Sequence, residues 1–165
     1  VMDHKINTSV LAKHLSMDYV LKNFCATSTY MKYLDIRFIK ENNSYISVLP
    51  YKSNLIGNPD LKVLHGGITV ALLEFTAMAQ ILYGNDNVTS SQGTNLSDNE
   101  VDQSKAKVID INVEYLRPGF AQDSFAIARI VRTGRRFAWL HVEAWQEGYK
   151  EIFAQASVHF SLRSK

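Results

Sequence analysis

The stretch Gly66–Tyr83, GGITVALLEFTAMAQILY, constrains the fold more than any other part of the chain. It is apolar nearly all round, so as a helix it must be covered over most of its surface. Thr69, Glu74, Thr76 and Gln80 interrupt it. A lipid-facing glutamate is costly, so a buried helix of a water-soluble domain is expected rather than a membrane span. The cover is legible further on. VIDINVEYL (108–116) alternates, with Ile109, Ile111, Val113 and Tyr115 on one face and Asp110, Asn112 and Glu114 on the other. SFAIARIVRT (124–133), RFAWLHVEAW (136–145) and EIFAQASVHFSL (151–162) follow, separated by short turn signals that predict an antiparallel meander. Earlier, YLDIRFI (33–39) and SYISVLPY (44–51) flank KENN and predict a β-hairpin, and NLIGNPDLKVL (54–64) reads as a loop. A curved antiparallel sheet of about six strands wrapped around the long helix, an α+β fold, satisfies all of these segments.

With 165 residues, 46% of them hydrophobic, the chain is long enough for one domain with a substantial core. Residues 1–32 are expected to form a helical segment packed on that domain, with Leu11, Leu15, Val20, Leu21 and Phe24 at helical spacing and Ser9 as a cap. The domain itself takes 33–165. Residues 84–105 are polar, with Val88, Leu96 and Val101 as their only aliphatics, which predicts a surface loop insertion: a tolerated one or a lid. The charge balance of 18 basic against 16 acidic residues excludes a bulk electrostatic case for nucleic acid or an anionic membrane. A single cysteine, Cys25, permits no internal disulfide, and the five histidines lack a metal-ligand spacing, so no metal is expected. The opening residues do not read as a signal peptide, and a reducing, cytoplasmic setting is expected.

Glu74 is the residue that needs explaining. An ionised carboxylate among Val70, Ala71, Leu72, Leu73, Phe75, Ala77 and Met78 is expensive unless paired, and desolvation raises its pKa. One answer is a solvated stripe on the helix or a structural basic partner. The other is chemistry, because His65-Gly66-Gly67 stands nine to seven residues upstream. Glycines at a helix start let a ligand approach free backbone N–H groups at the positive end of the helix dipole, donors that suit a carbonyl oxygen gaining negative charge.

The segments GNPDLKVLHGGITVALLE, VIDINVEYLRPG, RIVRTGRRFAWLHVEAW and EIFAQASVHFSL, in this order, resemble the hotdog-fold acyl-CoA thioesterases. The likeness is greatest to the PaaI-like type and the 4-hydroxybenzoyl-CoA thioesterases that use a glutamate. The resemblance implies Glu74 as general base or nucleophile, the Gly66 N–H polarising the thioester carbonyl, and His65 shaping the turn. It also implies that Asn58, from the opposing subunit, helps to hold the acid or its water. The partner implied is an acyl-CoA, bound by a homodimer or dimer of dimers with active sites at the subunit interface; no cofactor is implied beyond the coenzyme A of the substrate. Gly67 lies beside the same turn as a substrate-binding candidate.

Arg132, Arg135 and Arg136 surround the turn RTGRR. They read as a solvated hairpin end or, by the same resemblance, as contacts to the nucleotide end of coenzyme A, whose phosphates suit guanidinium forks. Arg117, in LRPG, is a further candidate. Trp139, Trp145, His141 and His159 read as packing and strand residues. Two departures from the resemblance stand out: Met78 occupies the position one turn after the acid where many relatives carry a hydroxyl, and Asn58 stands one residue farther from His65 than in some of them. A dehydratase or hydratase of β-hydroxyacyl thioesters, suggested by LLEFTAMAQ, and a non-catalytic acyl-CoA-binding module are the competing readings. HGG favours hydrolysis, because the dehydratases set their histidine farther upstream and lack the double glycine.

Overall fold

The computed structural model describes residue 25 and residues 28–41, 44–83, 106–147 and 151–162. The expected helix at 11–24 and the loop at 84–105 lie outside the described residues. Within them the chain runs α1 (Thr29–Leu34), β1 (Arg37–Glu41), β2 (Ser44–Leu49), a 3-10 turn (Ser53–Leu55), β3 (Ile56–Asn58) and β4 (Val63–Leu64). It continues through α2 (Gly66–Tyr83), β5 (Ala106–Tyr115), β6 (Ser124–Thr133), β7 (Phe137–Trp145) and β8 (Ile152–Leu162). Six strands form one antiparallel sheet in the order β1-β2-β6-β7-β8-β5, and α2 packs on β2, β6, β7, β5 and β8. This is the helix-in-sheet architecture that the apolar helix demanded.

Three local readings are corrected. Tyr33 and Leu34 belong to α1 rather than to a strand. Ser28 caps that helix by accepting the Met31 N–H at 3.2 Å, and Asp35 ends it in the left-handed region at φ 58°. The segment read as a loop before the glycines contains a two-stranded ribbon, in which Ile56 pairs with Leu64 and Asn58 with Val63. The third correction concerns β5. Val108 pairs with Phe160 and Asp110 with His159, which leaves Ile109 as an extra residue in a bulge. Ile109 is therefore 54% exposed instead of facing the helix. Val108 takes the inward direction before the bulge, and Ile111 and Val113 take it afterwards.

Two polar contacts fix the rotation of α2 within the sheet. Gln80 accepts the Tyr45 N–H at 3.2 Å. Thr76 Oγ1 lies 2.6 Å from the Leu72 carbonyl and 2.7 Å from Ser47 Oγ, with both side chains buried. Having one proton, the Thr76 hydroxyl donates to Leu72 and accepts from Ser47. Thr76 and Gln80 thus face the sheet, and Glu74, two residues from Thr76 and so about 200° around the helix, faces away from it. Thr76→Val keeps the shape but leaves the buried Ser47 hydroxyl unpaired. It is expected to cost about 1–3 kcal/mol in denaturant unfolding, with Ser47→Ala in the same chain recovering part of the loss.

Candidate active site

The site is built on the start of α2. Leu64 N–H donates to the Gly119 carbonyl at 2.8 Å and His65 N–H to the Leu55 carbonyl at 2.9 Å, so two backbone bonds anchor the residues that enter the helix. The His65 carbonyl accepts from Ile68 at 2.9 Å and from Thr69 at 3.4 Å, and His65 Nδ1 accepts from the Gly67 N–H at 3.0 Å. His65 is therefore the N-terminal cap of α2, with its proton on Nε2. The first-turn donors of Gly67, Ile68 and Thr69 are thereby satisfied. Gly66 N–H alone in this turn has no hydrogen-bond partner among the described residues. Of the two glycines, Gly66 is the one that offers a free donor, and Gly67 is exposed but has committed its N–H to His65.

Beside Gly66 opens a groove of about 440 Å³, bounded by Val63, Leu64, Thr69, Tyr115, Arg117 and Phe153 among others. Its far wall is the turn after β5, where Gln146 latches the backbone in place. The Gln146 amide accepts the Phe120 N–H at 2.8 Å and donates to the Phe120 carbonyl at 2.8 Å and to Ser124 Oγ at 2.9 Å. Arg117 sits at the groove with its guanidinium 3.2 Å from Glu151, both side chains more than half exposed. A pair so exposed holds its partners weakly, leaving the guanidinium available to an incoming anion. Tyr115, expected only as an inward-facing strand residue, donates its hydroxyl to the Gly66 carbonyl at 3.0 Å. Its place at the last residue of β5, just before LRPG, was the available signal.

Glu74 is half-buried, and among the described residues no hydrogen bond or ion pair reaches its carboxylate. Burial pushes its pKa above the ordinary glutamate range. It lies on a half-open stripe with Val70 and Met78, with no basic partner among the described residues. Eight residues separate it from Gly66, about 12 Å along the helix axis, and Thr69, on the groove side, stands about 140° around the helix from it. Gly66, which also lines the groove, stands only about 80° around the helix from Glu74, so the separation along the axis, more than the face, parts the two in one chain.

The remaining candidates are not gathered at the groove. Asn58 is exposed, and its Oδ1 accepts the Leu61 N–H at 3.1 Å in the turn before β4. Arg132, Arg135 and Arg136 are exposed at the β6–β7 hairpin, and no ion pair involves them among the described residues. Arg132 stands level with Trp139, which stands level with His159, whereas Arg117 N–H bonds to Phe153. The six residue steps along β8 from Phe153 to His159 span about 20 Å. His159 stacks on Trp139 with centroids 5.9 Å apart and lies 3.2 Å from Asp110, and His141 lies 3.3 Å from Glu143. Both are strand-face residues. Cys25 gives its thiol to the Ile36 carbonyl at 3.4 Å, and burial pushes its pKa to about 11, which leaves it a poor nucleophile. No helix among the described residues is long and apolar enough to cross a membrane.

An antiparallel sheet around one helix, with a groove beside the helix's capped N-terminus, defines a hotdog domain. The family of the acyl-CoA thioesterase N-terminal domain matches residues 57–161, from β3 to the end of β8, and the chain belongs to that family. Among curated proteins it is similar to YigI, a medium/long-chain acyl-CoA thioesterase of Escherichia coli, with 30% identity over 95 residues. That match covers 56% of this chain and 59% of the relative, so the chain spans about three fifths of the length of the curated relatives it matches. Among solved structures, a thioesterase of Haemophilus influenzae superposes with a TM-score of 0.68 at 20% identity, covering 92% of this chain and 93% of that one. The PaaI protein of the Escherichia coli phenylacetic acid degradation operon superposes with a TM-score of 0.67 at 15% identity, covering 88% and 91%. At these identities the superpositions establish the shared fold.

Proposed function

We propose that this chain is an acyl-CoA thioesterase, hydrolysing the thioester to a free carboxylic acid and coenzyme A. The observation that carries the reading is the single unpaired donor at Gly66, beside a groove that ends in a weakly held arginine. In the reaction, the thioester oxygen takes the Gly66 N–H, and Glu74 removes a proton from the water that attacks the carbonyl carbon. The C–S bond then breaks, and the thiolate leaves and is protonated. Direct attack by the Glu74 carboxylate, followed by hydrolysis of the anhydride, is the alternative route and uses the same groups. Met78, one turn beyond Glu74, offers no hydroxyl to steady a water, so in the general-base route the water is held by other groups. The substrate's own coenzyme A is the only cofactor such a mechanism calls for.

Because Glu74 stands about 12 Å along α2 from the Gly66 donor, too far for both to meet one thioester carbonyl, a complete site joins the groove of one chain to Glu74 of a second. This supports a homodimer with two shared sites, alone or paired into a tetramer. Asn58 reaches such a site from the chain opposite Glu74 and orients the carboxylate or water, while the exposed Arg132, Arg135 and Arg136 of the β6–β7 hairpin meet the phosphates. The similarity to YigI supports aliphatic chains of medium or long length as the first to test.

The pH profile follows from burial. Glu74 works ionised, and its pKa is raised above the unfolded value, so kcat/KM is expected to rise with pH along a limb centred above the roughly 4.3 of an ordinary glutamate. The same shift makes ionised Glu74 a cost to the fold: the contribution to stability is present at low pH and is lost as pH rises through the folded pKa. Glu74→Gln is therefore expected to lose activity while melting at the same or a higher temperature at pH 7. An acidic limb centred at the ordinary glutamate value, or a lower melting temperature in that variant, would contradict the assignment. Feeding crotonyl or β-hydroxyacyl thioesters separates hydrolysis from hydration: free thiol supports the proposal, and a change at the double bond without thiol reverses it.

A further inference from the structure

The groups around the two glycines point to a device that orients the free donor. The peptide unit joining Gly66 to Gly67 is held at both of its polar ends by side chains. Tyr115 donates to its carbonyl at 3.0 Å, and His65 Nδ1 accepts its N–H at 3.0 Å. On the other side of the Gly66 α-carbon, the preceding peptide is held by its carbonyl, that of His65, which accepts from Ile68 at 2.9 Å. The Gly66 N–H belongs to this preceding peptide, and its direction relative to the groove is set by the two soft torsions of a residue with no Cβ to restrict them. Gripping both flanking peptides fixes those torsions. We infer that Tyr115 is a positioning residue, which with His65 clamps the Gly66–Gly67 peptide and so aims the Gly66 N–H at the substrate carbonyl.

This inference rests on the thioester-hydrolase reading for its catalytic consequence, although not for the clamp itself. Tyr115 adds a steric component as well. A Cβ at Gly66 would lie 3.1 Å from its hydroxyl, so a larger residue there would press on the very group that orients the peptide. The hydroxyl, not the ring, supplies the orienting bond, and that separates the clamp from a wall of the groove. The side chain is 55% exposed, so loss of this one bond weakens the fold little. A donor held less firmly, by contrast, is a poorer fit to the transition state.

Tyr115→Phe tests the clamp. The expected result is a kcat lower by about tenfold, a KM changed by less than about twofold and a melting temperature nearly unchanged, the pattern of a misaimed donor rather than a damaged groove. Combining it with His65→Ala is expected to give a kcat loss smaller than the product of the two single losses, because both act on one peptide. In protein labelled with 15N-glycine, which carries eight glycines, the Gly66 and Gly67 amides are expected to shift and to exchange faster in Tyr115→Phe. Wild-type kcat in that variant, or unmoved Gly66 and Gly67 amides, would overturn the clamp. Should the unmodified chain release no thiol from any acyl-CoA, the hydrolase reading fails instead, and the two glycine amides alone decide for or against the clamp.

Discussion

Replacing Glu74 with alanine is expected to lower kcat for acyl-CoA hydrolysis by about 10²–10⁴-fold, the range that a positioned general base supplies. Binding should survive. The carboxylate lies on the half-open stripe of α2 and takes part in no hydrogen bond or ion pair among the described residues, so its removal breaks no structural contact. What its surroundings do to it is desolvation, which penalises the charged form and leaves it more basic than a solvated glutamate. The Glu74→Ala variant carries an unbroken apolar stripe from Val70 to Met78, if anything a better packing surface for a second copy. Thiol release measured with the variant at saturating substrate, alongside its affinity for a non-hydrolysable acyl-CoA analogue, separates chemistry from binding. Near-normal turnover would remove Glu74 from the mechanism.

The second large effect is expected at Gly57, and it acts on stability first. A Cβ there would lie 2.6 Å from the α-carbon of His65, 2.9 Å from its Cβ and 3.1 Å from its backbone nitrogen. Two of these three are atoms of the main chain, which cannot swing away as the end of a flexible side chain can. Gly57 lies in β3, and the ribbon it forms with β4 passes directly against the residue that caps α2. Gly57→Ala must push the two segments apart, at an expected cost of about 1–3 kcal/mol or more. The displaced residue is His65, so the cap on Gly67 N–H and the aim of Gly66 are disturbed together. Denaturant unfolding should show a lower midpoint, and the folded fraction should show reduced kcat. An unchanged midpoint would mean that β3 does not cross His65 this closely.

The parts of this fold that were legible in the sequence are those in which one residue's environment repeats along an element. The alternation in β6, β7 and β8 comes from a sheet with one face on the helix, and the predominance of apolar residues around α2 comes from packing on five strands. The bulge at Ile109 was illegible because an extra residue leaves the polar and apolar letters alternating while reversing the faces they point to. The β3–β4 ribbon was hidden by Gly57-Asn58-Pro59, a loop signature whose chain reversal in fact joins two short strands. Tyr33 and Leu34 suited a strand by residue type, but the cap from Ser28 and the left-handed Asp35 close a helical turn around them.

The site divides in the same way. His65, Gly66 and Gly67 announce themselves because a histidine and two glycines at the head of an apolar helix form a local pattern. Gly57, Tyr115 and Gln146 do not, because each acts on a segment far away in sequence: Gly57 on His65, Tyr115 on Gly66, and Gln146 on the turn around Phe120. Spacing could not reveal either that Gly67 spends its N–H on the histidine before it, leaving Gly66 as the free donor. The arginine cluster was legible as a cluster, but its distance of about 20 Å along β8 from the Arg117 groove depends on strand register.

The most direct measurement is free-thiol release by the purified chain from a series of saturated acyl-CoAs, from short to long, followed together with the appearance of the free acid. The proposed mechanism predicts one acid for each thiol, with turnover highest in part of the series and abolished for all members by Glu74→Gln. Tight acyl-CoA binding with no thiol released at any chain length, or thiol release that Glu74→Gln leaves intact, would contradict it.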